Sequence, residues 1–425
     1  MESSTKTKRH PLLWVPSLYF AEGLPFAVVA IMTGFMYKKM GISNAEITFW
    51  ITQLGWAWTI KPLWSPFLEA ARSKKLIIVF FEALGGFSIL AAAFILKLPG
   101  FFTFSIALFS ITAFASATHD IAADGTYIEN LSTHEQSIYS GWLGAFWNGG
   151  KLFVQGGMVW LAGELEVGHS TAETWGIVLA IPGVILLALA AYHWVMIPSR
   201  KNDAEQNVSM RYVATTLIDV IRTFFQKSGI WMAIAFTILF RAGEGQLQAV
   251  GRLFLIEARD HGGLGLTTSE VGIAYGTFAT LAFIGGSIFG GYFADRRGLK
   301  KSMFIMILAM NVPNLTFWYL SAFLPTNIYL ITAVLSIEML GYGFGYTGLI
   351  LYMMQVIAPG KYPTAHYALA TGIMALGFNV FQMYAGRIQE SLGYHNFFIW
   401  CVASALPVLI LSLIVKIDVK EKTAI

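Results

Sequence analysis

Asp120 and Asp124 stand four residues apart inside an apolar run, so a helix through them places both carboxyl groups on one face. Two carboxylates that close repel each other, and withdrawal from water penalises their charged forms further. One of the two is then able to take up and release a proton near neutral pH. The alternative is permanent neutralisation by a cation on another segment, with Lys61, Lys151 and Arg241 available. Sequence leaves both open.

Other ionisable groups share this apolar setting. Glu22, Glu82, His119 and Glu129 fall in the first half, and Glu244, Arg252, Glu257, Glu338, His366 and Arg387 in the second. A charged side chain at the centre of a bilayer costs about 2.5–3.5 kcal/mol on insertion scales, so such groups turn inward and pair, or line a wet cavity. Arg241, Lys61 and Lys151 would make that cavity cationic, with an anionic guest, because arginine presents a planar fork to carboxylates and phosphates. Full neutralisation by Glu22, Glu82, Glu244 and Glu257 is the competing outcome. Glu22 is followed by Gly23 and Pro25, and Lys61 by Pro62, and proline opens kinks that expose carbonyls. Trp142, Trp147, Tyr346 and Tyr352, with Gln246 beside Glu244, are the candidate solute contacts, since aromatic faces stack on sugar rings while a polar edge bonds a hydroxyl. Packing or an interfacial position is the ordinary role of such aromatics.

These residues need elements that tolerate lipid. The chain has 425 residues, 56% hydrophobic and 12% charged, with mean hydropathy +0.62. A soluble domain is about 25% charged, so a water-facing surface of normal composition is excluded. A bilayer demands helices of about 20 apolar residues with all backbone groups paired internally. Twelve such spans are expected, at 12–36, 45–69, 76–97, 101–130, 137–162 and 174–197, then 229–257, 269–294, 302–323, 327–357, 363–389 and 393–416. The first is an uncleaved span, since its apolar run contains Glu22 and continues without a small-residue cleavage site.

The halves repeat. Ala21-Glu22-Gly23 returns as Gly243-Glu244-Gly245, the loop from Glu69 through Lys75 as the loop from Asp295 through Lys301, and Tyr139 with Gly144 as Tyr367 with Gly372. The separations of 222, 226 and 228 residues keep one register across distant parts of the chain. This predicts a twelve-helix, all-α membrane protein of two pseudo-symmetric six-helix bundles around a polar cavity, with Glu22 facing Glu244 across the pseudo-twofold axis. The expected divisions are residues 1–197, a linker at 198–228 and residues 229–425. The later part of the linker (Leu217, Val220, Ile221, Phe224) has the spacing of an amphipathic helix on the membrane surface. Lys and Arg concentrate on the side that also holds both termini, which predicts cytoplasmic ends. Glu69, Arg72, Asp295, Arg296 and Arg297 lie on that side, where ion pairs formed in one state and broken in another would gate the conformational change.

Several patterns are set aside. Gly343, Gly345 and Gly348 match a dinucleotide-binding spacing but lie inside an apolar span with no preceding strand, so close helix packing is the expectation, as for Gly286 and Gly290. His119-Asp120 lacks further ligands at usable spacing, and the single Cys401 offers no disulfide; no metal, cofactor or catalytic residue is expected. The charge of +4 is too small and scattered for nucleic acid.

Asp295-Arg296-Arg297-Gly298-Leu299-Lys300-Lys301 resembles the signature of major-facilitator transporters between spans 8 and 9. Lys61-Pro62-Leu63-Trp64-Ser65-Pro66-Phe67-Leu68-Glu69 and Ala117-Thr118-His119-Asp120-Ile121-Ala122-Ala123-Asp124, with Glu22-Gly23-Leu24-Pro25, resemble the AmpG-type muropeptide permeases within the wider peptide, acetyl-coenzyme A and drug transporter family. The resemblance implies a monomeric carrier of a bacterial inner membrane. Such a carrier imports a muropeptide, an N-acetylglucosamine–anhydro-N-acetylmuramic acid unit with or without peptide, by proton-driven alternating access. Asp120 and Asp124 carry over to the family's span 4 motif and Lys61 to its span 2 motif. The alternatives are a carrier of another bulky anion such as an acyl-coenzyme A, a membrane-embedded acyltransferase using His119 or His366, and a glycan sensor signalling through Pro198–Ser228.

Overall fold

A computed structural model describes residues 9–65, 68, 73–131, 133–198 and 210–417 of the chain. Among these residues every regular element is helical. We number the main helices α1 (Val15–Ala27), α2 (Asn44–Ile60), α3 (Lys74–Ile95), α4 (Phe101–Asn130), α5 (Thr133–Leu152), α6 (Thr171–Met196), α7 (Met210–Phe225), α8 (Ile230–Phe240) and α9 (Ala242–Ile256). They continue as α10 (Thr280–Arg297), α11 (Leu299–Asn311), α12 (Leu315–Phe323), α13 (Ile328–Tyr352), α14 (Pro363–Ala403) and α15 (Leu406–Ile414). Eight helical stretches among the described residues are long and apolar enough to cross a bilayer by themselves. Such helices satisfy their own backbone hydrogen bonds, which lipid requires.

The chain forms two compact units, Met1–Met40 with Leu54–Asn207, and Gly41–Gln53 with Val208–Ile425. In the first, Trp14, Leu18, Tyr19, Ile78, Ala123 and Tyr127 form a core from α1, α3 and α4. In the second, Phe224, Phe236, Phe240, Met303, Ile307 and Tyr352 form the corresponding core. The second unit includes the opening of α2. Asn44 Nδ2 donates to Gln389 Oε1 at 2.7 Å and to the Tyr394 hydroxyl at 2.8 Å, and Tyr394 donates to Glu257 Oε2 at 3.1 Å.

Small residues let two apolar helices cross closely where lipid supplies no hydrophobic drive. At the crossing of α10 and α13, a Cβ on Gly286 would overlap the Leu340 carbonyl, and one on Gly343 the Phe283 carbonyl. The dinucleotide-like glycine spacing is therefore a packing device.

Three interruptions modify the expected spans. Arg241 (φ −107°, ψ 14°) separates α8 from α9, dividing the seventh span. The ninth is divided at a turn containing Pro313. The last two run together as α14 with a sharp break at Gly393, the first residue of the expected twelfth span, whose φ of +73° suits glycine. The linker contains the helix α7, followed by a 91° bend into the seventh span. Its Val220 and Phe224 are buried while Leu217, Ile218 and Ile221 are exposed. Lys361 Nζ binds Asp219 Oδ2 at 2.7 Å, and the Tyr362 hydroxyl donates to the same oxygen at 2.8 Å.

Candidate functional site

In the first unit the candidates gather on α1, α4 and the turn after α2. Ile60 ends the helix before Pro62, and this break brings Lys61 into an ion pair with Asp120 on α4. Asp120 is buried, whereas Asp124, one turn later, is exposed and accepts a 2.9 Å hydrogen bond from the Tyr19 hydroxyl. The two carboxylates thus differ: one is buried in an ion pair, the other is exposed and bonded to a neutral donor. Glu22 on α1 is 7% exposed, and its Oε2 is buried without a hydrogen-bond partner. Gly23 lies beneath Trp147 so closely that a Cβ would overlap the Trp147 carbonyl, which holds α1 against α5. The Trp147 ring packs on Phe26 at 5.4 Å, and Lys151 Nζ lies 5.9 Å from the same indole.

In the second unit Arg241 sits at the helix break. Its guanidinium carbon lies 3.7 Å from the Phe378 ring centroid and 5.0 Å from that of Tyr346, and Nη2 donates to the Tyr342 hydroxyl at 2.6 Å. Such a box holds a guanidinium by cation–π attraction and fixes the plane of its fork. Arg241 Nε has no partner, and no carboxylate among the described residues lies within ion-pair distance of Arg241. Glu244, one turn into α9, is fully buried with both oxygens unpartnered, and so is Glu338 on α13.

Glu338 is the residue to which sequence reasoning gave no role. Its signal was a lone acid in an otherwise apolar span, which is equally a sign of structural pairing. Two expected solute contacts have packing positions instead. Tyr352 is 0% exposed and packs on Phe236 at 4.9 Å. Gln246 spends its polar atoms internally: Nε2 donates to the Ala242 carbonyl and Ser404 Oγ, and Oε1 accepts from Trp400 Nε1 at 2.8 Å. Asp295, Arg296 and Arg297 lie exposed at the end of α10, with Arg297 4.9 Å from the Phe293 ring. Glu69, Arg72 and the side chain of Trp142 lie outside the described residues. Among the described residues no group of three His, Cys, Asp or Glu side chains is arranged to hold a metal ion.

Comparison with known proteins places this architecture. The chain is 26% identical to the anhydromuropeptide permease of Escherichia coli (strain K12), over 94% of this chain and 78% of that protein. It is 24% identical to putative transporter AmpG 4 of Rickettsia conorii, over 95% of each. Among solved structures it resembles the nucleoside transporter NupG, with TM-score 0.73 and 15% identity over 95% of this chain and 98% of that one. It also resembles a D-xylose-proton symporter, with TM-score 0.67 and 12% identity over 94% and 96%. Residues 17–386 match the family model of the Major Facilitator Superfamily. Long apolar helices, inward acids and bases, and this match over most of its length together make the chain a member of that superfamily, a multi-pass membrane transporter of a small-molecule substrate rather than an enzyme.

Proposed function

We propose that the transporter imports an anionic muropeptide, or a related anionic amino-sugar oligosaccharide, across a bacterial inner membrane by proton-coupled alternating access. The observation that carries the anionic substrate is Arg241. A guanidinium boxed by Phe378, Tyr346 and Tyr342, with no carboxylate of the described residues at ion-pair distance, is a charge kept for a ligand. Its aromatic surround suits a sugar ring beside the carboxylate that the guanidinium binds. Trp147, with Lys151 Nζ 5.9 Å from its ring, offers an aromatic surface in the first unit. Proton coupling draws support from buried carboxyl oxygens without a hydrogen-bond partner on Glu22, Glu244 and Glu338, and from Asp124, which is exposed. The permease of Escherichia coli named for anhydromuropeptide supports the substrate class. The protein works as a monomer with both termini cytoplasmic, and Asp295, Arg296 and Arg297 serve the gating of its conformational change.

Thermal unfolding of the purified protein in detergent tests the substrate class. An anhydromuropeptide raises the unfolding temperature in a concentration-dependent way, and the uncharged N-acetylglucosamine disaccharide does not. A shift with the neutral sugar, or none with either, overturns the anionic assignment.

A further inference from the structure

A cluster of ionisable groups lies within the first unit, apart from the residues above. Glu82 on α3, His119 on α4 and His193 on α6 are at most 2% exposed. Glu82 Oε1 lies 3.0 Å from His119 Nε2 and 2.7 Å from His193 Nδ1. The second nitrogen of His193, Nε2, lies 3.0 Å from Ser17 Oγ on α1, and Ser17 Oγ lies 3.2 Å from the Trp14 carbonyl. Glu82 Oε2 and His119 Nδ1 are buried without partners.

The protons of this cluster are countable. A carboxylate oxygen accepts from both flanking ring nitrogens, so His119 Nε2 and His193 Nδ1 each carry a hydrogen. With both imidazoles otherwise bare, the ionised Glu82 leaves one uncompensated negative charge in a dry interior, the costliest arrangement. One more proton makes the cluster neutral, and three atoms compete for it. On Glu82 Oε2 it would be a buried O–H with no acceptor, and on His119 Nδ1 a buried N–H with none. On His193 Nε2 it meets Ser17 Oγ, free to accept because its own hydrogen points to the Trp14 carbonyl.

We propose that Glu82, His119 and His193 form a proton-binding site, in which His193 Nε2 takes the proton and Ser17 Oγ accepts its hydrogen bond. Release runs in the opposite sense. The proton leaves Nε2, and the Ser17 hydroxyl turns from the Trp14 carbonyl to donate to the bare nitrogen. His193 lies in the last turn of α6 and Ser17 in the first turn of α1, and Tyr192 ties those ends together by donating to the Leu13 carbonyl at 2.5 Å. The His193–Ser17 contact therefore sits at the ends of α6 and α1. Of the charged groups on these helices, Lys74 pairs with Glu129 at 2.5 Å, Glu173 on α6 with Lys97 at 2.8 Å and Asp120 with Lys61, Asp124 accepts from Tyr19, and Lys75 stands at the start of α3. Glu22 lies further along α1, and Tyr127 on α4 stacks edge-on against Tyr19. Among the described residues the two histidines are the only basic groups in ion-pair contact with Glu82.

The use of this proton in transport rests on the proton-coupled reading; its presence on His193 does not. Ring-15N-histidine NMR of the full chain in lipid nanodiscs between pH 5 and 9 tests its presence. At neutral pH one histidine shows both ring nitrogens protonated. That signal is absent from His193→Gln, turns to the neutral pattern in Glu82→Gln, and is a smaller fraction at equal pH in Ser17→Ala, which lacks the acceptor. Persistence of the signal in His193→Gln, or a neutral His193 at every pH in the wild-type protein, overturns the site; if His193→Gln fails to fold, Glu82→Gln decides. Uptake of anhydromuropeptide into proteoliposomes tests the use. Loss of the gradient-driven part in His193→Gln supports it, and full retention makes the proton a static part of an ion pair. No uptake by the wild-type protein would refute the substrate while leaving the NMR result standing.

Discussion

Lys61 and Asp120 form an ion pair within the first unit, and the pair separates two carboxylates that are equivalent in sequence spacing. Asp120 is ion-paired with Lys61, whereas Asp124 is exposed and accepts a hydrogen bond from the Tyr19 hydroxyl. Asp124→Asn should abolish gradient-driven uptake with little effect on thermal unfolding. Asp120→Asn should also lower stability, by about 1–3 kcal/mol, because it strands the Lys61 ammonium without its partner. Unfolding of the two variants in detergent, read beside uptake, checks this. Equal stability loss in both would remove the distinction.

The Arg241 box makes a prediction about shape as well as charge. Arg241→Lys retains the charge but loses the planar face against Phe378 and the fork that grips a carboxylate. Binding of an anhydromuropeptide should weaken by about tenfold or more, the equivalent of about 1–2 kcal/mol. Titration calorimetry on the two proteins measures it, and unchanged affinity would take Arg241 out of the binding site.

Glycines on α10 separate packing from composition. Gly286→Val must displace α13, since even a Cβ overlaps the Leu340 carbonyl, and should cost about 1–3 kcal/mol or more. Gly285→Ala, with nothing within 4 Å of the added carbon, should leave the unfolding temperature unchanged. A reversed order would mean that the crossing is not as close as described.

The contact between α7 and the start of α14 should depend on pH at both ends. The Lys361 ammonium and the Tyr362 hydroxyl hold the Asp219 carboxyl below its ordinary range, and Asp219 raises Lys361 above its own. A depressed acid contributes above its unfolded value and loses that contribution as pH falls through its folded one. A raised base contributes below its unfolded value and loses it as pH rises. The docking of α7 should therefore be firm between about pH 4 and about pH 10 and loosen outside that window. Proteolysis near α7 across this range, with Asp219→Asn as the variant that loses the acid limb, reads it out.

The helices were legible because lipid leaves the backbone of an apolar run one solution, and the glycine pairs because close crossings need small residues. The chemistry was less so. A span that is apolar all round has no periodic stripe to say which face is inward, so Tyr352, buried against Phe236, looks the same in sequence as Tyr346 beside Arg241. Gln246 reads as a solute contact until Trp400 and Ser404, more than 150 residues away, are seen to occupy it. The break at Arg241 has no proline or glycine at that position to announce it. His193 stands alone near the end of an apolar helix with nothing in the sequence to link it to Glu82; only folding places the two together.

Uptake of labelled anhydromuropeptide into proteoliposomes, with an inward proton gradient and with the gradient collapsed, tests the whole account most directly. Accumulation above equilibrium that requires the gradient, and competition by unlabelled muropeptide but not by neutral disaccharide, is the predicted result. Equilibration that ignores the gradient, or accumulation of the neutral sugar equally well, would contradict it.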